Sequence, residues 1–293
     1  MMSRLSGEGY SVVSLCDYRG ISRQAYYKRI TSAQNKESQY QELVELVRRN
    51  RLQKSRAGLR SIYYKEKISS LGVNKFEKEM SKRGLALKPV KSRIITTDSR
   101  GKHYRFGNLI SGLSLQSENH VIVGDITYHK SRGVTYYIFQ FRDYYTLEVK
   151  GLVGSKTMEG IYAEICLRQV MAYNKKRKYK FILIIHTDGG SQYRSHAFQR
   201  MLQNAQIRPS HAKNCLENGL SERTNGIVKN EYLVDYEIRS VKQLNEVLGK
   251  IKYQINNIWP SSKLGYRTPV EFAKEMRTLS LKDRIIRTIT KVE

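Results

Sequence analysis

The sequence predicts an α/β protein, a mixed sheet with helices, preceded by small all-α basic modules. Three observations predict it. Two short apolar runs rich in β-branched residues each close on an aspartate, Val121-Ile122-Val123-Gly124-Asp125 and Phe181-Ile182-Leu183-Ile184-Ile185-His186-Thr187-Asp188; runs of that length and composition read as buried strands. After each, apolar residues recur at helical spacing: Met158, Ile161, Ile165 and Val170, then Ala197, Phe198, Met201 and Leu202. The first 87 residues carry capped helical patterns instead.

Taken in order, an apolar patch (Val12, Val13, Leu15, Cys16, Tyr18) leads through Gly20 to Ile21-Ser22-Arg23-Gln24-Ala25-Tyr26-Tyr27-Lys28-Arg29. Ser22 is a good N-cap, and the short helix after it presents Arg23, Gln24, Tyr27 and Lys28. This is the layout of a helix-turn-helix, and equally of a generic basic helical hairpin. Tyr40, Leu43, Val44 and Val47 predict a separate helix from Lys36 to about Arg51. A further helix starts with Asn74 as cap and Glu77 in a capping-box position, and stops at Gly84. Lys88, Lys91, Arg93, Arg100, Lys102 and Arg105, opposed only by Asp98, form a basic connector. Its default reading is a solvated loop.

In the core, the first strand is followed by strands at 134–141 and 148–153, with Arg132-Gly133 as the turn between the first pair. A helix reaches Asn174, the basic run Lys175-Lys176-Arg177-Lys178 precedes the fourth strand, and Pro209 limits an edge strand at 206–210. In the tail, Ser240 with Gln243 opens one helix, and Thr268, Pro269 and Glu271 open the next.

Asp125 and Asp188 are placed at strand ends, where α/β sheets carry chemistry, and Gly189-Gly190 permits the tight exit. Glu222 opens a segment in which Glu222, Asn225, Gly226 and Lys229 share one helical face, while Leu220, Thr224, Ile227 and Val228 mark the other. Any one of these acids alone is more often a solvated loop or cap residue. Together they suit hard divalent cations, since carboxylates hold Mg²⁺ and without a cation they repel.

Composition narrows the partners. Lys+Arg 53 against Asp+Glu 26 gives +27 and a pI near 10.0, which favours a polyanion, most commonly nucleic acid. A basic membrane-surface protein competes, but no apolar stretch approaches the roughly 18–20 residues that cross a bilayer, and residues 1–20 lack a signal-peptide core. Cys16, Cys166 and Cys215 are scattered, which fits a reducing cytosol and gives no support to zinc; His103, His120, His129, His186, His196 and His211 are not spaced as ligand pairs either.

Gly124-Asp125-Ile126-Thr127-Tyr128, His186-Thr187-Asp188-Gly189-Gly190-Ser191-Gln192-Tyr193, Glu222 with Lys229 seven residues on, and Leu264-Gly265-Tyr266-Arg267-Thr268-Pro269-Val270-Glu271-Phe272 together resemble the DDE transposases and retroviral integrases. The resemblance is greatest to the second-reading-frame transposase of the insertion-sequence-three family, and covers most of the chain. Four features depart from that family: a slightly shorter gap between Asp188 and Glu222, Ile122 where tryptophan is usual, Glu217-Asn218-Gly219 for Asp-Asn-Ala, and Trp259-Pro260-Ser261 for Arg-Pro-His.

The resemblance implies a ribonuclease H-like integrase catalytic core that cleaves strands and transfers them at insertion-sequence ends. Asp125, Asp188 and Glu222 would be the catalytic, metal-holding acids. Two Mg²⁺ ions are expected, with Mn²⁺ able to substitute. Lys229 and Asn225 would touch DNA near the acids, and Arg23, Gln24, Tyr27 and Lys28 in the helical part. The expected partners are element ends and target DNA, further copies of the chain, and a first-reading-frame partner or fusion, in the bacterial cytosol and nucleoid. The expected division is 1–35 and 36–87 (helix-turn-helix-like), 88–112 (basic linker), 113–235 (catalytic core) and 236–293 (helical extension). A generic linker bundle is the competing reading of 36–87. Two other functions remain: an inactive DNA-binding remnant that regulates element ends, and a nuclease of the same fold that only hydrolyses.

Overall fold

The computed structural model of the chain describes residues 9–88, 106–174, 181–212 and 219–291. Helix α1 (Val12–Arg19) begins at Ser11, whose hydroxyl accepts the Val13 N–H, and ends at Gly20 in the left-handed region, φ 64°. Ser22 caps α2 (Arg23–Gln53) by accepting from the Ala25 N–H, as expected. The helix is not short, however. It runs for 31 residues, through the break and the boundary predicted near residue 35. Residues 23–53 contain neither glycine nor proline, so nothing interrupts the ladder once it has nucleated. Residues 31–38 are exposed on every side, a polar stretch between an end that buries Tyr26 and an end that buries Leu43, Val44 and Val47.

Leu59 and Ile62 of α3 (Leu59–Lys65) and Phe76 and Met80 of α4 (Val73–Lys82) pack with Val44 and Val47. The start of α4 corrects a second expectation, because its N-cap is Gly72 and makes no side-chain bond. Asn74 therefore lies inside the first turn, and Asn74 and Glu77 both accept hydrogen bonds from the Arg60 guanidinium of α3. A charge-assisted bond between helices wins over a local cap. Gly84 leaves the helix at φ 77°, as expected of a terminating glycine.

Of the predicted linker, Lys91, Arg93, Asp98, Arg100, Lys102 and Arg105 lie outside the described residues, as do the run 175–178 and Cys215. From Phe106 the chain is already fixed to the core: the Leu109 N–H donates to Ser210 Oγ at 2.9 Å, and Ile110 is buried with Val121 and Ile184. Strand β1 (Ser114–Leu115) pairs with the C-terminal strand Arg287–Thr288.

The main sheet has five strands: β2 (Val121–Ser131), β3 (Val134–Asp143), β4 (Val149–Ser155), β5 (Ile184–Thr187) and β6 (Arg208–His211), in the order β4-β3-β2-β5-β6. Strands β2, β3 and β4 are antiparallel neighbours, whereas β5 runs parallel to β2 and β6 parallel to β5. Arg132 (φ 51°) and Gly133 (φ 78°) form the predicted two-residue turn, whose twist matches that of the hairpin. Pro209 is tolerated because β6 is an edge,.

Helix α5 (Gly160–Asn174), the short α6 (Ser191–Arg194) and α7 (His196–Asn204) cover one face, where Ala163, Leu167, Phe198 and Leu202 meet Phe139 and Phe141. Tyr136 and Ile138, which alternate with those residues along β3, face the other core. That core holds the helical module and the later helix Val241–Asn257. Helix α8 (Gly219–Gly226) continues into π-helical turns over Ile227–Tyr232. Ser240 caps the next helix, α9 (Val241–Asn257), and Thr268 with Glu271 forms the predicted capping box of α10 (Pro269–Thr278). No helix among the described residues is long and apolar enough to cross a membrane.

Candidate active site

Asp125 is not at a strand end. It lies mid-strand, opposite Gln140. Ile126, Thr127 and Tyr128 are good strand formers, and β3 offers partners as far as Ser131, so β2 stays extended. What ends beside Asp125 is the neighbouring strand. The parallel register pairs Val121 with Ile184 and Val123 with His186. Continued two residues on, it sets Asp125 level with Asp188, which follows the last residue of β5 as predicted.

At Asp188 the chain turns through Gly189, φ 68°, and the Gly190 N–H donates back to Asp188 Oδ1 at 3.0 Å. A Cβ at Gly190 would stand 3.2 Å from that carboxylate oxygen, so the second glycine allows the close approach. Glu222 is exposed in the first turn of α8, while Ser221, Thr224 and Val228 are buried against the core.

Helix α8 is tied to β2 by two amides. Asn225 Nδ2 donates to Asp125 Oδ2 at 2.7 Å, and Gln140 Nε2 donates to Asn225 Oδ1 at 2.6 Å and to the Ser221 carbonyl at 3.0 Å. Gln140 thereby fixes which end of the Asn225 amide faces the carboxylate. Burial first, then the charge of Asp188, and more weakly that of Glu222, push the Asp125 carboxyl up to about 7 against the opposing hydrogen bonds from Ile126 and Asn225. The three acids predicted from sequence therefore stand within one another's electrostatic field.

Lys229 follows Gly226 in the π-helical turns, which are wider than those of an α-helix. Its ammonium lies 4.5 Å from the centroid of the Tyr128 ring. Arg23, Gln24, Tyr27 and Lys28 are exposed along the first turns of α2, on the helical module and not among the acids.

Gln140 was not anticipated, although its position was readable: counting back from the Arg132-Gly133 turn puts it opposite Asp125. Tyr193 and His211 were missed with less signal. The Tyr193 hydroxyl is buried without a hydrogen-bond partner, its pKa held well above the usual value by burial first and then by Asp125 and Asp188. His211, paired with Thr187 at the end of β6, stands against Gly189.

Among the described residues no three His, Cys, Asp or Glu side chains form a ready-made metal cage. The donor set nevertheless fits a hard cation. Mg²⁺ is ordinarily held by one or two carboxylates together with water and substrate phosphate, and the level pair Asp125 and Asp188 supplies oxygen ligands in a place where burial penalises uncompensated charge.

The integrase core domain family matches residues 116–214, and a second integrase core domain family matches residues 203–269. The transposase for insertion sequence element IS904 from Lactococcus lactis subsp. lactis (strain IL1403) is 29% identical over 172 residues, 57% of this chain and 66% of that protein. The chain belongs to the DDE transposase/integrase superfamily. The Gag-Pro-Pol polyprotein of bovine leukemia virus (isolate Australian) is 32% identical over 118 residues, 38% of this chain and 8% of the polyprotein. The chain thus spans just under two thirds of the first of these relatives and a small part of the second.

Among solved structures, the integrase catalytic core domain of HTLV-2 in complex with magnesium (trimeric form) aligns with a TM-score of 0.43 at 23% identity, covering 57% of this chain and 99% of that one. The integrase of the simian T-cell lymphotropic virus intasome in complex with PP2A regulatory subunit B56 gamma aligns at 0.47 and 19%, covering 75% and 71%.

Proposed function

We propose that this superfamily member is a DNA transposase that cuts a strand at the end of an insertion sequence and joins the freed 3′-hydroxyl to target DNA. The observation that carries the reading is that Asp125 on β2 lies within the field of Asp188, at the exit of the parallel neighbour β5, and of Glu222, whose helix is bonded to Asp125 through Asn225. Two Mg²⁺ ions, or Mn²⁺ in their place, supply activation of the attacking oxygen and neutralise charge at phosphorus when bound.

Asp125 and Asp188 would hold the cations, and Glu222 would complete the set from α8. Asn225, oriented by Gln140, holds Asp125 in the geometry that a cation and a phosphate require. In the first step water attacks the phosphodiester, leaving a 3′-hydroxyl on the element. In the second, that hydroxyl attacks a target phosphodiester and the displaced target 3′-oxygen leaves, so bonds formed equal bonds broken.

Arg23, Gln24, Tyr27 and Lys28 contact the element's end, and Lys229 steadies DNA beside the acids. We assign the helical part, 1–87, to end binding, the core to chemistry and 236–293 to an extension that closes over the core or joins protomers. Further copies of the chain, and a first-reading-frame product where one is made, assemble with it on paired ends.

The test is incubation of the purified protein with a labelled duplex carrying the element's end, a target plasmid, and Mg²⁺ or Mn²⁺. Nicking and joined product are expected. Binding without nicking would replace this reading with a DNA-binding remnant, and cut ends that never join would replace it with a nuclease.

A further inference from the structure

The β2–β3 hairpin continues past the acids. Strand β2 pairs with β5 only at Val121, Ile122 and Val123, whereas it stays paired with β3 as far as Ser131. Beyond Asp125, then, the hairpin overhangs the site with β3 as its only strand neighbour among the described residues. On this overhang Tyr128 is 52% exposed, although a tyrosine ring in a sheet is ordinarily covered by its neighbours,. Lys229, from the turns that follow Glu222, places its ammonium 4.5 Å from the centroid of that ring. Lys130, next on the strand but one, is exposed as well.

We infer that Tyr128, braced by Lys229, is a stacking platform for a nucleobase that has left the duplex beside the reacting phosphate. An open aromatic face with a cation against it offers what a nucleotide needs, a π surface for the base and positive charge for the backbone. Bases within a duplex have both faces covered by their neighbours, so the ring engages only a terminal or an unstacked base. Three residues of strand separate Tyr128 from Asp125, about 10 Å at ~3.3 Å per residue, and alternation turns the two side chains to opposite faces of β2; what ties the ring to the acids is Lys229, which reaches it from the turns that follow Glu222. The platform thus holds open the end of the DNA that the acids act on. The inference rests on the transposase reading and specifies which part of the DNA the site selects.

The test uses duplexes carrying the element's end with 2-aminopurine at successive positions beside the scissile phosphate, the terminal pairs either matched or mismatched. Wild type is expected to quench the probe at one or two positions and to prefer the mismatched end. Tyr128→Ala and Tyr128→Leu are expected to lose the quench and to weaken binding to the mismatched end by roughly tenfold, whereas Tyr128→Phe keeps both. Thermal melting of each variant serves as the folding control, and the exposure of the side chain predicts little change. If wild type binds and cuts while Tyr128→Ala quenches and binds as it does, the platform is overturned and the transposase reading stands. If wild type binds neither duplex, both fall.

Discussion

The molecule gathers acidic side chains in two places beside the β2–β3 hairpin, and it surrounds them differently. Near the ends of β3 and β4, Asp143, Glu148 and Lys150 are fully buried. Asp143 accepts from the Asn119 N–H at 2.6 Å and the Thr146 N–H at 2.7 Å, Lys150 lies 2.6 Å from Glu148, and Arg277 of α10 grips Glu118 with two bonds of 2.7 and 3.0 Å. Each acid there is matched by donors or a cation. On the neighbouring strand β2, three residues beyond the Ile122 that pairs with Asp143, Asp125 faces the charges of Asp188 and Glu222, with an amide and a backbone N–H as its opposing donors. The compensated cluster holds the C-terminal helices to the sheet. At the other, burial and two neighbouring acids together hold Asp125 well above its ordinary range, which is a mark of a functional site,.

That contrast can be broken at either end. The largest effect is expected from Asp188→Asn, which should reduce strand cutting by more than the roughly 10–100-fold typical of losing an outer-shell partner while leaving DNA affinity and folding intact; gel assays of cutting and binding on one preparation check it. Next is Lys150→Met. Removing the cation takes away the partner 2.6 Å from the buried Glu148 carboxylate and should cost about 3–5 kcal/mol of stability, read by denaturant unfolding, with DNA cutting by the folded fraction unchanged. If Lys150→Met were tolerated and Asp188→Asn unfolded the protein, the two clusters would have been assigned the wrong way round.

Smaller effects sharpen the comparison. Asn225→Ala removes the donor to Asp125 and should lower cutting by about 10–100-fold. Gln140→Leu, which frees the Asn225 amide to turn, should act in the same direction. The least effect is thermodynamic. The folded Asp125 carboxyl sits at about 7, above its ordinary value of 3.8, so its contribution to stability is fully present below the ordinary value and is lost as pH rises through about 7. Metal-free protein should therefore melt lower at pH 8 than at pH 5, and Asp125→Asn should flatten that difference. Mg²⁺ at 100 times its Kd should restore about 2.7 kcal/mol at pH 8.

Much of the fold was legible in the sequence because its signals are local. The Arg132-Gly133 turn, the Ser22 and Thr268 caps, the Gly84 stop and the helix stripe at Phe198 and Leu202 were all read from neighbours a few residues away. The misreadings share a cause: they needed knowledge of what lies alongside. Asp125 resembles a strand end only until β3 is seen pairing beyond it. Asn74 resembles a cap until Arg60 arrives from another helix. The π-helical turns after Gly226 leave no trace in the spacing of Glu222 and Lys229, because residue identities do not encode the width of a turn.

By itself, then, the sequence determined the chemistry, meaning which acids are available, that they follow or interrupt strands, and that a basic chain carries them. The tertiary structure alone decided that Asp125 stands level with Asp188, that Gln140 orients Asn225, and that Lys229 braces Tyr128. Periodicity records which way a side chain faces within its own element. Which elements become neighbours, and in what register, is settled by pairing between segments far apart in the chain.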